Sequence, residues 1–349
     1  MTIRRGSPSA RIESVLAECG ALVGAAVEPY LARQAGRPYL GPLIADYPGR
    51  RSPILGAALF LATIRACGGR IDDGLRVAAA IEMTQNAARI HQDLWNRRDR
   101  RSGRQSLHRL WGEPLAINAG DALLMMGLQP LLTEPRDLLG QRSLVMLHYL
   151  DTMSRYGIQA QMAERFWRQE GVFAPSEADY FRTVLGKTCW PLIIGPLLMA
   201  SWMARISRQQ VDSWIRFGYF WGVALNIRTE VNWWSALIEE GSWPAPSVGA
   251  RQFDLPLVHL SGSLSDGEKQ RILTLLEAAE SGPPAAGVLD IGRQLEATGC
   301  LDSSLATSSR MHRAAVSEAE RLMGALPATR ERDLLLDLAR WEGPPQELR

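Results

Sequence analysis

Residues 81–96 read IEMTQNAARIHQDLWN, a stretch in which apolar residues recur at the three- and four-residue spacing of a helix. Gln92 and Asn96 lie four residues apart near its end, so a helix places both amides on one face, about a turn apart. An amide keeps much of the shape and hydrogen bonding of a carboxylate but carries no charge. The stretch therefore predicts a helix that ends in a neutral, hydrogen-bonding face.

The same helical periodicity dominates almost the whole chain, and alternating strand patterns bounded by hairpin signals are absent. No linker is long enough to argue for two domains. We therefore expect an all-α protein: a flexible basic leader over residues 1–12 and one large helical-bundle domain over residues 13–349. Turn-forming residues punctuate the bundle at GRPYLGP, YPGRRSP, RRSGRQS, EEGSWPAPSVG and ESGPPAAG.

The composition limits the kinds of function that the protein can have. Hydrophobic residues make up 46% of the 349 residues, which suffices for a large core, and the net charge of +2 gives no support to nucleic-acid binding. The four cysteines lie far apart without metal-ligand spacing, which favours reduced thiols in a cytoplasmic protein. The most apolar run, TCWPLIIGPLLMASWM, holds two prolines and is short for a membrane span, so we expect a buried helix and no transmembrane segment.

Several local patterns follow one another in a fixed order along nearly the full chain, and the ordered set resembles the trans-isoprenyl diphosphate synthases (the polyprenyl synthetase family). The resemblance implies the all-α isoprenoid synthase fold, with helices around a deep central cavity, and a homodimer. It also implies that an allylic diphosphate is ionised with the help of magnesium ions held by two aspartate-rich motifs. The patterns are YPGRRSP, IEMTQNAARIHQDLWN, RRSGRQSLH, EPLAINAGDALL, AQMAE, GKT, FGYFWGVALNI and RTEVNWW.

Both aspartate-rich motifs are altered in this chain. The first, DDxxD in the family, corresponds to Gln92, Asp93 and Asn96, so both outer aspartates are amides. The second keeps one carboxylate, Glu230, and carries Trp233 where an aspartate is expected. Magnesium needs hard, mostly anionic oxygen ligands. The resemblance thus leaves Asp93 and Glu230 as candidate catalytic carboxylates, assigns no metal ligand, and argues against a three-magnesium cluster.

The clamp for the family's second substrate, isopentenyl diphosphate, is also changed. The family's basic loop GGKRxRP becomes YPGRRSP, with Gly49 and Ser52 at two cationic positions. The second arginine after the first motif becomes Ser102. Each lost charge-assisted contact costs about 1.5–3 kcal/mol, so we expect no useful condensation with isopentenyl diphosphate.

Residues at the allylic end of the family's site are better preserved. Arg101 matches an arginine that touches the allylic diphosphate, and Lys187 matches a lysine that reaches the same group. Glu164 corresponds to the carboxylate of the family's GQxxD pair, and we take it as a third candidate catalytic carboxylate. The other candidate substrate-binding residues are Gln85, Gln92, Asn96, Gln161, Thr188, Asn226 and Trp233.

Arg89 has no counterpart in the family, where this position is apolar. It lies three residues before Gln92 on a nearby face of the helix. Three roles remain open: contact with a diphosphate in place of magnesium, intrusion into the cavity, or an i,i+4 ion pair with Asp93. The small residues Ala87 and Ala88 occupy positions where bulk shortens the hydrocarbon pocket in the family, so a chain of about C15–C20 is expected to fit.

Two main functional hypotheses follow, beside a third, smaller possibility that the protein carries an isoprenoid without a diphosphate. In the first, the protein is an enzyme that binds an allylic isoprenoid diphosphate and transfers the prenyl group to an acceptor other than isopentenyl diphosphate, or cyclises it as a terpene synthase does. In the second, it is a non-catalytic subunit, and its partner in a heterodimer is an active prenyl synthase. The loss of metal ligands from both motifs is consistent with either hypothesis.

Overall fold

The computed structural model describes residues 8–50, 55–132, 136–205, 208–240, 253–278, 286–324 and 330–341. Most of these residues are helical, which confirms the prediction of an all-α fold. The α-helices are α1 (Pro8–Ala32), α2 (Gly41–Asp46), α3 (Leu55–Ala66), α4 (Ile71–Trp95), α5 (Leu107–Trp111), α6 (Glu113–Leu132), α7 (Arg136–Gln169), α8 (Glu177–Val184), α9 (Gly195–Met203), α10 (Arg208–Glu240), α11 (Leu255–Ser261), α12 (Asp266–Ala278), α13 (Ala286–Ala297), α14 (Cys300–Gly324) and α15 (Arg330–Arg340).

Helix α1 begins at Pro8, within the leader predicted over residues 1–12, and Ile12 is fully buried. Proline suits the first helical turn, because its fixed φ is helical and its missing N–H would have no partner there. Residues 1–7 lie outside the described residues. That residues 13–349 form a single domain stays a prediction.

A two-stranded antiparallel ribbon, β1 (Arg100–Arg101) and β2 (Arg104–Gln105), interrupts the helices after α4. Its turn residues, Ser102 and Gly103, have φ angles of 50° and 75°. Two consecutive positive φ values are typical of the turn that matches the natural twist of a hairpin. The sequence prediction placed a loop here and missed this ribbon, because strands of two residues are too short for an alternating pattern.

Close helix contacts position α4, which ends at Trp95. A Cβ atom at Gly120 of α6 would lie 2.2 Å from Nε2 of His91, and one at Gly127 would lie 2.7 Å from Oγ1 of Thr84. These glycines allow α6 to approach α4 closely along its length. Helix α4 is therefore held against α6. This packing fixes the position of the side chains at the C-terminal end of α4.

A π-helical segment, Leu185–Ile194, joins α8 to α9 without a break. Pro191 lies inside it and has no N–H, so it cannot donate the α-helical hydrogen bond to the carbonyl of Lys187. The wider π turn accommodates this lost bond. The segment carries Lys187 and Thr188, two of the predicted site residues.

The continuous helix Glu177–Met203 contains the most apolar run of the sequence. Its 27 residues are long and apolar enough to cross a membrane, as are Ser14–Ala32 and Glu113–Leu132 by the same criteria of length and composition. The run TCWPLIIGPLLMASWM is therefore the second part of a longer helix, which begins well before Thr188. Most of its apolar window, 67%, is buried inside the protein, which confirms the prediction of a buried helix.

The packing of the π segment on α7 generates a prediction. A Cβ atom at Gly186 would lie 2.6 Å from the backbone oxygen of Tyr156 and 2.9 Å from Cβ of Ala160. Because backbone must move to relieve this overlap, Gly186→Ala should lower the free energy of unfolding by about 1–3 kcal/mol in urea titrations. In the matched control Gly24→Ala, the added Cβ meets nothing within 4 Å, and α1 should gain up to about 1 kcal/mol. Equal effects of the two changes would contradict this account of the packing.

Candidate functional site

A cleft forms between the C-terminal ends of α4 and α7. It encloses ≈ 410 Å³, counted with its open mouth. We call it the amide–arginine cleft, and it brings together four residues predicted from the sequence: Gln92, Asn96, Gln161 and Glu164. Three lining residues were missed by the sequence analysis: Trp95, Arg165 and Arg168.

A second, smaller pocket of ≈ 210 Å³ adjoins the cleft at Glu164, which lines both. We call it the Glu230 pocket. It contains Lys187 and Glu230, two further predicted residues, together with Tyr180, which was not predicted. The rest of its lining is Trp167, Pro175, Thr183, Val184 and Phe253.

An ion pair separates the two spaces. Nζ of Lys187 lies 2.6 Å from Oε1 of Glu164, with the two side chains 27% and 21% exposed. Burial lowers the pKa of Lys187, but the charges of Glu164 and Glu230 outweigh burial and raise the pKa above its ordinary value. Lys187 therefore remains a cation at neutral pH. Beside it, Thr188 donates a hydrogen bond of 3.0 Å to Oδ1 of Asn226.

Glu230 is 5% exposed and accepts three hydrogen bonds. The donors are the hydroxyl of Tyr180 at 2.9 Å, the amide of Asn226 at 2.6 Å and the backbone N–H of Leu255 at 3.0 Å. Burial and the nearby charge of Asp254 raise the pKa of Glu230 to about 8. Glu230 can thus hold a proton near neutral pH, and its oxygens are already engaged by protein donors.

Asp93 is the centre of a buried polar network. Its side chain is 1% exposed, and Arg101 donates two hydrogen bonds to it, at 2.6 Å and 2.7 Å. The hydroxyl of Tyr47 donates a third at 2.5 Å, and burial, followed by the charge of Asp93, raises the pKa of Tyr47, so the donor keeps its proton. In this structure Asp93 is buried and bound to Arg101, so the two residues form an internal ion pair, and their predicted roles toward a substrate stay predictions.

Arg50 ties the same network to the ribbon. It donates to Asp46 at 2.5 Å and to the backbone oxygens of Arg101 at 3.3 Å and Gln105 at 2.7 Å. Its guanidinium lies over the ring of Tyr47, 4.1 Å from the ring centroid. Arg50 therefore holds the ribbon in place. Arg51 and Ser52, from the same basic loop, lie outside the described residues.

Arg89 and Glu82 lie on α4 and interact electrostatically. Glu82 is 3% exposed and accepts hydrogen bonds from the side chain of Asn86. Burial lowers the pKa of Arg89, and Glu82 is the carboxylate that opposes this shift most, with Asp93 contributing less. The i,i+4 pairing with Asp93 considered from the sequence is thus secondary to the interaction with Glu82. Arg89 lines neither the amide–arginine cleft nor the Glu230 pocket.

Gln85 and Trp233, two other predicted residues, are part of the packed interior. Gln85 is 5% exposed and donates a hydrogen bond of 2.8 Å to the backbone oxygen of Pro191, which joins α4 to the π segment. Trp233 is 3% exposed and packs edge-on against Trp234, with ring centroids 5.0 Å apart. Neither lines the amide–arginine cleft or the Glu230 pocket, and their predicted contact with a substrate stays a prediction.

The oxygen atoms that could serve as metal ligands do not fit a magnesium cluster. Both oxygens of Asp93 are bound to Arg101, Glu230 accepts three hydrogen bonds, and Glu164 is paired with Lys187. Among the described residues, no group of three or more His, Cys, Asp or Glu side chains is arranged to hold a metal ion. The amides of Gln92 and Asn96 supply shape but not the negative charge that magnesium requires.

The buried ion pair between Asp93 and Arg101 can be compared with an exposed ion pair that has the same nitrogen–oxygen distance of 2.6 Å. Arg109 and Asp99 are also 2.6 Å apart, but their side chains are 53% and 64% exposed. Asp93→Ala leaves Arg101 buried without its partner and should lower the free energy of unfolding by about 3–5 kcal/mol. Asp99→Ala should cost less than about 1 kcal/mol, because water and salt screen an exposed pair. Urea titrations measure both, and similar losses would contradict a structural role for Asp93.

The raised pKa of Glu230 predicts how stability depends on pH. A folded-state pKa above the unfolded value means that the folded protein binds the proton more tightly, so the contribution is complete below about pH 4.5 and is lost as pH rises through about 8. Glu230→Gln cannot ionise and should lack this loss. Melting temperatures of both proteins between pH 5 and pH 9 should therefore diverge in favour of the variant as pH rises. A constant difference across this range would show that Glu230 is ionised throughout.

Comparison with known proteins agrees with this architecture. A model of the polyprenyl synthetase family matches residues 54–230, just over half of the chain. The geranylgeranyl diphosphate synthase of Mycobacterium tuberculosis is 36% identical over 120 residues, which are 33% of this chain and 34% of that enzyme. The aligned stretch therefore spans about a third of that relative.

Two solved structures share the fold over almost the full length. The geranylgeranyl pyrophosphate synthetase of Pyrococcus horikoshii has a TM-score of 0.77 and 18% identity, covering 95% of this chain and 98% of its own. The geranylgeranyl pyrophosphate synthase of Corynebacterium glutamicum, complexed with isoprenyl diphosphate and magnesium, has a TM-score of 0.76 and 18% identity, covering 96% and 99%. The match to the family model and the shared fold lead to one conclusion: the chain belongs to the polyprenyl synthetase family.

Proposed function

We propose that this protein binds an allylic prenyl diphosphate of about C15–C20 and either transfers the prenyl group to an acceptor other than isopentenyl diphosphate or cyclises it. The observation that carries the proposal is the convergence of Gln92, Asn96, Gln161, Glu164 and Lys187 on two adjoining spaces. These residues come from three separate helical segments, and all of them match the allylic end of the family's site.

The proposed reaction begins with cleavage of the bond between the allylic carbon and the diphosphate oxygen. The diphosphate leaves with the electron pair, and the allylic cation forms a bond either to a nucleophile of the acceptor or to a double bond of its own chain. A proton is then lost from the product. Because the leaving group gains negative charge, a positioned cation promotes the first step. Lys187, whose positive charge is sustained chiefly by Glu164, is suited to this role.

The residues that match the family's isopentenyl diphosphate clamp support an acceptor other than isopentenyl diphosphate. Gly49 is exposed and uncharged, and Ser102 forms the exposed tip of the ribbon. Arg50, the described arginine of the basic loop, is bound to Asp46 and to the ribbon backbone. A second diphosphate would therefore find no available cation among these three residues.

A second candidate function is that of a non-catalytic subunit that assembles with an active prenyl synthase. Asp93 and Glu230 are the carboxylates that remain of the two motifs, and both accept hydrogen bonds from other side chains of the protein. This arrangement favours a non-catalytic role. Exposed apolar side chains on α6 and α7 also offer a surface for assembly, either as the expected homodimer or as a heterodimer. They are Leu115, Ile117, Met125, Leu132, Leu144, Ile158, Met162 and Phe166.

Product analysis tests the proposal. The full-length protein is incubated with geranyl, farnesyl and geranylgeranyl diphosphates, with and without isopentenyl diphosphate and aromatic acceptors. We expect release of diphosphate and a prenylated or cyclised product without isopentenyl diphosphate, and no longer polyprenyl diphosphates when it is added. Lys187→Met should abolish release, because it removes the cation that stabilises the leaving group.

The matched control is Lys269→Met, which changes the chain's only other lysine. Lys269 lies on α12 and is 3.8 Å from Asp266, outside both spaces, so this variant should behave as the unmodified protein. Elongation by the pure protein with isopentenyl diphosphate would refute the proposed choice of acceptor. If the pure protein releases no diphosphate but alters the products of an added prenyl synthase, the non-catalytic subunit is the correct assignment.

A further inference from the structure

The two walls of the amide–arginine cleft differ in chemistry. The α4 wall presents the neutral amides of Gln92 and Asn96, and the α7 wall presents Arg165 and Arg168. Glu164 is the one carboxylate among the residues that line this cleft, and it is already paired with Lys187. The lining therefore favours an anion, whereas a site built for metal ions needs an excess of carboxylates.

We propose that this cleft binds the diphosphate group directly, on Arg165 and Arg168 together with the amides of Gln92 and Asn96, without a metal ion. The inference rests on the proposed function for the prenyl part of the ligand, but the anion site itself is independent of any reaction. It assigns to Arg165 and Arg168 a role that the family resemblance does not provide, because neither residue belongs to the motifs that carry it.

The positions of these residues on α7 support direct binding. Gln161, Glu164, Arg165 and Arg168 recur at three- and four-residue spacing, so one face of α7 presents all of them to the cleft. Arg165 is exposed, and no carboxylate of the described residues pairs with it. Guanidinium groups form paired hydrogen bonds with phosphate oxygens, and amide NH₂ groups add neutral donors.

The α4 wall is also prepared for an anion, because Asp93 behind it is neutralised. Arg101 binds both carboxylate oxygens of Asp93, and Nε of Arg98 lies 3.7 Å from one of them. A lone carboxylate at this position would repel a diphosphate across a weakly screened distance. With two arginines beside it, Asp93 does not oppose a negative ligand in the cleft.

Glu164 acts in this arrangement as an internal counter-anion. Its carboxylate lines the cleft and binds Lys187 of the adjoining Glu230 pocket at 2.6 Å, so a diphosphate that reaches this boundary competes with Glu164 for the cation. Replacing Glu164 with glutamine removes the competitor and frees Lys187 for the ligand. The change should therefore strengthen diphosphate binding, whereas the same change at a metal-binding carboxylate weakens it.

Titration calorimetry with inorganic diphosphate tests the inference, first in EDTA and then in excess magnesium. We expect binding in EDTA that magnesium does not enhance. Arg165→Ala should weaken it at least about tenfold and Arg165→Ala/Arg168→Ala about a hundredfold, since each lost charge-assisted contact is worth one to two factors of ten. Glu164→Gln should bind more tightly than the unmodified protein, by several-fold.

The matched control is Arg155→Ala, also on α7. Arg155 is 63% exposed, pairs with Asp151 at 2.8 Å and lies outside the cleft, so its removal should leave affinity unchanged. Circular dichroism and melting temperature establish that each variant is folded, and the exposed Arg165→Ala variant serves if the double variant is unstable. Because these arginines act through charge, affinity should also fall steeply with added salt.

Three results would overturn the inference: binding of inorganic diphosphate only with magnesium, no binding in either condition, or an Arg165→Ala affinity equal to that of the unmodified protein. Weaker binding by Glu164→Gln would overturn the role of Glu164. The proposed function fails separately. If inorganic diphosphate binds as expected but prenyl diphosphates yield no product, the anion site stands and the enzymatic role falls.

Discussion

The buried ion pair between Asp93 and Arg101 is the interaction on which the candidate site depends. It closes the ribbon against the end of α4, and Tyr47 and Arg50 extend it to α2 and to the ribbon backbone. A buried carboxylate is tolerated only when it is fully paired, and a buried arginine likewise. The pair thus fixes the position of Gln92 and Asn96 on the adjacent face while keeping its own charges out of the cleft.

The fold could be predicted from the sequence because its main signal is local. Apolar residues at helical spacing and the ordered motifs established an all-α isoprenoid synthase fold. The convergence of Gln92, Asn96, Gln161, Glu164 and Lys187 followed from the same motifs. What the sequence could not reveal was which side chains would already be bound to one another within the folded protein.

Arg101 and Arg165 show why the sequence did not reveal these contacts. From the sequence, Arg101 matched a diphosphate-binding position, but the positive φ angles of Ser102 and Gly103 turn the ribbon so that Arg101 meets Asp93. Arg165 and Arg168 lie in a polar stretch near the end of α7, where charged residues are ordinarily solvated. Only the packing of α7 beside α4 shows that both line a cleft. Tertiary contacts thus place Arg101 on Asp93 and bring Arg165 and Arg168 to the cleft.

The π segment has a consequence for the direction of the charge at Lys187. A π turn holds about one residue more than an α turn, so the segment sets the direction of Lys187 independently of α9, whose residues Leu197–Ala200 are buried in the core. Gain or loss of one residue within Leu185–Ile194 would rotate the cation relative to the ligand while α9 kept its packing. The length of the π segment therefore controls the direction of the Lys187 charge separately from the packing of the interior.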